Sequence, residues 1–131
     1  MAAAVEHRRN VLVVEDDAAI RGLIKFLVQR ENWTAEEVSD GAEALVKIRE
    51  RDYDVIVLDL MLPGVSGEAI LDEIRRSRPS ALCRIVIVTA SPSFVQKLDT
   101  AGVGAILVKP FDINQLIAAL RECTRAETSK S

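Results

Sequence analysis

Four short apolar runs punctuate the chain: Val11-Leu12-Val13-Val14, Val55-Ile56-Val57-Leu58, Ile85-Val86-Ile87-Val88 (with Arg84 before it) and Ala105-Ile106-Leu107-Val108. Each stops on a polar residue, in turn Glu15, Asp59, Thr89 and Lys109. Runs without alternation, rich in β-branched residues, predict strands buried on both faces of a parallel sheet. The segment Asn32 to Val38 is more polar and reads as an edge strand.

Between these runs the apolar spacing changes to three-and-four, the period of a helix packed on one side. Ile20, Leu23, Ile24, Leu27 and Val28 predict a first helix with Arg30 near its end. Asp40-Gly41-Ala42-Glu43 has the form of a capping box, opening a second helix that turns Ala44, Leu45 and Ile48 inward and finishes at Arg51-Asp52. Pro63, Gly64 and Gly67 mark a turn-rich loop before a third helix carrying Ile70, Leu71 and Ile74, which Pro79 stops. Ser91-Pro92 predicts an N-cap and first helical position, with a short fourth helix running to about Ala101 and closed by Gly102 and Gly104. Asp112-x-x-Gln115 caps a last helix with Leu116, Ile117 and Leu120 inward, and Thr124 to Ser131 reads as a polar tail.

Five strands alternating with five helices describe a doubly wound α/β domain, since every parallel connection needs a crossover. The expected strand order is 2-1-3-4-5, with the domain at residues 10-125 between tails at 1-9 and 126-131. The 131 residues leave no room for a second folded domain, and 49% hydrophobic content with only 4% aromatics implies an aliphatic core.

Composition narrows the function. No apolar run approaches the roughly 20 residues that cross a bilayer. Met1 to Val5 lacks the charged start and long apolar segment of a secretory signal, so a cytoplasmic location and no membrane association are expected. A net charge of −3 argues against a nucleic-acid surface, and Arg8-Arg9, Arg75-Arg76 and Arg78 read as solvated faces or helix ends. Cys83 and Cys123 lack Cys-x-x-Cys spacing and are expected to be reduced packing thiols. One histidine, His7, cannot build a zinc site or a buried triad.

The strand tips carry the chemistry. Ligands of doubly wound sheets bind beyond the carboxyl ends of the strands. Glu15, Asp16 and Asp59 would repel one another there unless a cation neutralised them, and all-oxygen donors suit Mg²⁺. Lys109 adds a positive charge and Thr89 a hydroxyl, so the two would hold an anion beside Asp59. Such a pocket suits phosphoryl transfer, with Asp59 as nucleophile. Glu15, Asp16 and Asp17 also fit the plainer role of capping the first helix.

The ordered set Val13-Val14-Glu15-Asp16-Asp17, Asp40-Gly41 with Ala44-Leu45, Leu58-Asp59-Leu60-Met61-Leu62-Pro63-Gly64 with Gly67, Thr89-Ala90 and Lys109-Pro110-Phe111 resembles the receiver domain of two-component response regulators. The resemblance is to the type found in the chemotaxis regulator and covers Asn10 to Arg125. It implies a flavodoxin-like sheet and a Mg²⁺ site of Glu15, Asp16, Asp59 and the Met61 backbone carbonyl. It implies that Asp59 accepts a phosphoryl group from a phosphohistidine of a sensor histidine kinase or histidine phosphotransfer protein. Thr89 and Lys109 would bind the phosphoryl oxygens, and the bond before Pro110 would be cis. The chain would then be a self-phosphorylating phosphoacceptor that loses its phosphate slowly, Met61 being unable to orient an attacking water, rather than a turnover enzyme. Phosphorylation would change a surface built from the fourth helix, fifth strand and fifth helix, read by an unknown downstream protein, in a monomer or a phosphorylation-dependent dimer.

Two features depart from the family pattern. The position that usually holds a switch aromatic is Ile106, and the stretch from Thr89 to Lys109 is shorter than usual. The competing readings are a stand-alone receiver, the receiver of a larger regulator with an effector domain, and a receiver that binds partners without phosphorylation. A haloacid-dehalogenase-like hydrolase would want an acid where Met61 stands. A flavin binder would want a phosphate loop where Glu15-Asp16-Asp17 would repel one.

Overall fold

Burial on both faces is what the apolar runs predict, and in the computed structural model a five-stranded parallel sheet supplies it for residues 11–14, 55–58 and 85–88, whereas Ala105–Val108 lies at the sheet edge and leaves Ile106 and Val108 exposed. The structure describes residues 8–129, with side chains over 8–124. Most of the expected N-terminal tail, His7 included, and the side chains of the expected C-terminal tail lie outside the described residues.

The strands are β1 (Asn10–Val14), β2 (Thr34–Val38), β3 (Val55–Asp59), β4 (Ile85–Thr89) and β5 (Ala105–Val108), in the order β2-β1-β3-β4-β5. The helices are α1 (Ala18–Arg30), α2 (Gly41–Glu50), α3 (Gly67–Ser77), α4 (Pro92–Gln96) and α5 (Ile113–Ser129). Alternate residues of each central strand go to opposite faces. Leu12, Val14, Ile56, Leu58, Ile85 and Ile87 pack with Ala44 and Ile48 of α2 and Ile70, Leu71 and Ile74 of α3. Val11, Val13, Val55, Val57, Val86 and Val88 pack with Ile24, Leu27 and Val28 of α1 and Leu116 and Leu120 of α5. The register pairs Val14 with both Val38 and Leu58, Asp59 with Val88, and Thr89 with Val108, so the polar ends of the strands come out level.

Side-chain caps start the first four helices. Asp17 accepts from the Ala19 and Ile20 N–H groups, Asp40 from Glu43, Ser66 from Ala69 and Ser91 from Phe94. The Asp40 bond, at 2.8 Å, is short and exposed. Asp40→Ala is expected to cost about 1 kcal/mol, seen as a lower urea midpoint with an unchanged slope.

The structure corrects several local expectations. Leu23 is 39% exposed rather than inward, because the buried stripe of α1 is the narrower set Ile24, Leu27 and Val28. Asn32 is no part of β2: its φ of 65° is a left-handed turn that reverses the chain after α1, a conformation Asn tolerates. Beyond Pro79 a 3₁₀ turn, Pro79–Arg84, leads into β4. α4 stops at Gln96, well short of Ala101. The stretch after it is held instead from α3, where the Arg75 guanidinium donates to the Asp99 carbonyl and, at 3.1 Å, to the Ala101 carbonyl. α5 continues through the segment read as a polar tail, and Thr124 is buried.

Candidate functional site

Where β1 ends, the chain must turn from a buried strand into α1, and its polar residues take up the backbone groups that the turn exposes. Arg21 donates from Nη1 to the Glu15 carbonyl at 2.8 Å and to the Asp16 carbonyl at 3.4 Å. The Asp17 N–H reaches back to Glu15 Oε2 at 3.1 Å. These bonds aim the Glu15 side chain inward, where it is 1% exposed, while Asp16 stays at the surface. Beside β1 in the sheet, β3 ends on Asp59, 3% exposed, whose Oδ1 accepts the Met61 N–H at 3.0 Å. Carboxylate oxygens of Glu15, Asp16 and Asp59 all lie within 4.8 Å of one another.

Lys109, at the end of β5, closes the cluster. Its Nζ lies 3.1 Å from Asp59 Oδ2 and 3.2 Å from Glu15 Oε2, contacts between residues 50 and 94 positions apart in the chain. One ammonium against three carboxylates leaves the pocket strongly anionic. Burial, reinforced by the charge of Asp59, pushes the Glu15 carboxyl up to about 7 even though the Asp17 N–H and Lys109 pull it down. Burial opposes the charge on Lys109, but its bonds to Glu15 and Asp59 outweigh that and hold it above the ordinary lysine value. Glu15 Oε1 is buried and accepts no hydrogen bond, although it too lies 3.1 Å from Lys109 Nζ. A buried carboxylate oxygen left without a hydrogen bond, in an all-oxygen cluster of excess negative charge, fits a small hard divalent cation.

Thr89 is fully buried at the end of β4, and its backbone carbonyl accepts the Lys109 N–H at 2.8 Å. Its hydroxyl oxygen accepts the Ser91 N–H at 3.1 Å and so holds the entry to α4. The Met61 side chain is exposed, and Ile106 on edge strand β5 is 39% exposed. The Lys109–Pro110 peptide is cis. Beside Lys109 an open apolar groove of about 420 Å³ runs between Ile20 and Leu23 of α1 and Ala90, Pro110 and Phe111.

Acidic pair, Asp59 and Lys109 thus meet in one pocket, to which Thr89 is joined through its carbonyl bond with the Lys109 N–H. Of the three acids at this turn Asp17 caps α1, and its own N–H donates to Glu15. The role of Arg21 as the pin of the β1–α1 turn has no sequence signal, since its partners in the turn are backbone carbonyls. The β3–α3 loop packs where a side chain at Gly41 or Gly67 would collide with the Val65 or Leu60 backbone, and only the glycines themselves mark this in the sequence.

The response regulator receiver domain model matches residues 11–121. The transcriptional regulatory protein ResD of Bacillus subtilis is 32% identical over 122 residues, covering 93% of this chain and 50% of that protein. The chain spans about half the length of the curated relatives it matches. Among solved structures, the receiver domain of the Francisella response regulator 1452 is 30% identical with a TM-score of 0.82, covering 92% of this chain and 99% of that one. Response regulator TrrA of Thermotoga maritima, solved in complex with Mg²⁺-BeF, is 30% identical with a TM-score of 0.80, covering 88% of this chain and 98% of that one.

Proposed function

The chain belongs to the response regulator receiver domain family, and from that premise we propose that it is a phosphoacceptor switch in which Asp59 takes a phosphoryl group from the phosphohistidine of a sensor histidine kinase or histidine phosphotransfer protein. The observation that carries this reading is the buried Asp59 carboxylate, held by Lys109 and the Met61 N–H within the Glu15, Asp16 and Asp59 cluster. In the transfer a carboxylate oxygen of Asp59 attacks phosphorus, the phosphorus–nitrogen bond to the donor breaks, and the donor imidazole leaves.

Glu15, Asp16, Asp59 and the Met61 carbonyl would hold a Mg²⁺ ion, which supplies charge to neutralise the carboxylates and the incoming phosphoryl oxygens. The protein's own groups do the positioning. Met61 N–H and Lys109 fix the Asp59 carboxylate from two sides. Lys109 carries three donor hydrogens, enough to hold Asp59 and a phosphoryl oxygen together. The Thr89 hydroxyl accepts from Ser91 and keeps its own proton to give to the phosphoryl group. With Ile106 in place of an aromatic, a shift of Thr89 is passed on by repacking of β5 against its neighbours, and the surface of α4, β5 and α5 carries the signal to a downstream protein. The cytoplasmic location expected from the sequence belongs to the same reading.

Acetyl phosphate tests the proposal directly. Intact mass after incubation is expected to show a single phosphoryl adduct that forms with Mg²⁺ and fails to form when the ion is chelated. Uptake that ignores Mg²⁺, or no uptake from acetyl phosphate or from a phosphorylated histidine donor, counts against the reading.

A further inference from the structure

Gly104, at the approach to β5, has neighbours closer than a side chain allows. A methyl there would lie 2.4 Å from the Cys83 carbonyl oxygen and 2.6 Å from Cys123 Sγ. The missing side chain lets the 3₁₀ turn Pro79–Arg84 and α5 close over the start of β5, where the Gly104 N–H reaches the Ile85 carbonyl at 3.0 Å. Two cysteines far apart in sequence are thereby brought together: the Cys83 backbone and the Cys123 sulfur face each other across the width of one methyl group. The two residues are therefore neighbours, and a disulfide between them requires the Cys83 side chain to turn from the Ser80 carbonyl toward Cys123.

The two thiols are free and unequal. Cys83 is half-buried, and its Sγ makes only a weak 3.4 Å contact with the Ser80 carbonyl, which a rotation of the side chain gives up. Cys123 is buried, in the core layer that α1 and α5 form with the sheet. Among the described residues the only group of three or more metal donors is Glu15, Asp16 and Asp59, so nothing completes a metal site around this pair.

We propose that Cys83 and Cys123 form a redox-sensitive pair, which a small disulfide oxidant such as oxidised glutathione converts into an intramolecular disulfide tying the turn before β4 to α5. The chemistry is two exchanges. The Cys83 thiolate, having given its proton to water, attacks one sulfur of the oxidant; that S–S bond breaks, one glutathione leaves and is protonated, and Cys83 keeps the other as a mixed disulfide. Cys123 then loses its proton and attacks Cys83 Sγ, expelling the second glutathione. Two protein thiols are oxidised by two electrons, and the oxidant is reduced to two thiols. Burial first, and the neighbouring Cys83 next, push the Cys123 thiol up to about 11, so the second exchange is slow at neutral pH and speeds up as pH rises. Once formed, the bond joins two elements that flank β5 and stiffens the α5 side of the domain.

The test is independent of phosphorylation. The parent, Cys83→Ser and Cys123→Ala are incubated with oxidised glutathione at neutral and mildly alkaline pH, then analysed by intact mass and a non-reducing peptide map. The parent is expected to end two hydrogens lighter, with the Cys83 and Cys123 peptides linked, and to do so several-fold faster at the higher pH. Cys123→Ala is expected to stop at one glutathione adduct, and Cys83→Ser to stay unmodified. A parent that stays reduced, keeps a stable glutathione on Cys83, or forms Cys83-linked dimers overturns the proposal. The parent's own map decides the matter even where a variant folds poorly.

Discussion

Asp59→Asn is expected to take up no phosphoryl group from acetyl phosphate under conditions where the parent becomes fully labelled, while remaining folded. The amide is neutral and a poor nucleophile, so the reaction loses its attacking atom rather than part of its transition-state stabilisation. The fold survives because Asn keeps the size and one oxygen, which can still accept the Met61 N–H in the place of Oδ1. Lys109 retains Glu15 as its partner. Removing one of two buried carboxylates also relieves Glu15, whose carboxyl is raised by burial and further by the Asp59 charge. The denaturation midpoint is therefore expected to hold or rise. Intact mass and urea unfolding on the same sample separate the two effects. A variant that still acquires a phosphoryl group would mean that the acceptor lies elsewhere, and a variant that is unfolded would leave Asp59 a structural residue.

The largest expected loss of stability comes from a single methyl group at Gly41. An alanine Cβ there would sit 1.7 Å from the Val65 carbonyl oxygen, 2.6 Å from its carbonyl carbon and 2.9 Å from its Cβ. Two of these atoms are backbone and cannot swing aside as a side-chain tip would, so the loop between β3 and α3 has to move as a whole. That loop is pinned at its far end as well, because a methyl at Gly67 would lie 2.5 Å from the Leu60 Cα. Alanine's better helix propensity, about 1 kcal/mol, offsets part of the clash, and Gly41→Ala is expected to be destabilising by roughly 2–3 kcal/mol net. Gly22→Ala is the control. Gly22 lies within α1 with nothing within 4 Å of its would-be Cβ, so the same substitution there is expected to stabilise by about 0.5–1 kcal/mol. Urea midpoints of opposite sign for the two variants would confirm that space, not glycine as such, decides. A neutral Gly41→Ala would show that the loop yields cheaply.

The chain by itself determined most of its strands, its caps and the polar residues that end its strands, because each of these is written in neighbouring residues. A strand wet on neither face must be apolar at every position, so Val11 to Val14, Val55 to Leu58 and Ile85 to Val88 are legible as they stand. A helix start needs one acceptor for its first N–H groups, and Asp17, Asp40 and Ser91 provide it within three positions, while the Ser66 cap of α3 came to light in the structure. Residues that end such strands of a doubly wound sheet face one crevice, which is why the sequence alone groups Glu15, Asp16, Asp59 and Lys109. Only the tertiary structure decided what depends on partners far along the chain. The periodicity that counts Leu23 as apolar cannot say that α1 is covered on a narrower stripe, and the buried-strand pattern of Ala105 to Val108 does not show that an edge strand leaves Ile106 and Val108 open. α4 ends early while Arg75 of α3 takes hold of the following carbonyls, and Thr89 spends its oxygen on Ser91. Gly41 and Gly104 are glycines because Val65 in one case, and Cys83 with Cys123 in the other, occupy the space of a side chain. Spacing records which residues share a face of one element; which two surfaces meet, and how closely, is settled only when the chain packs.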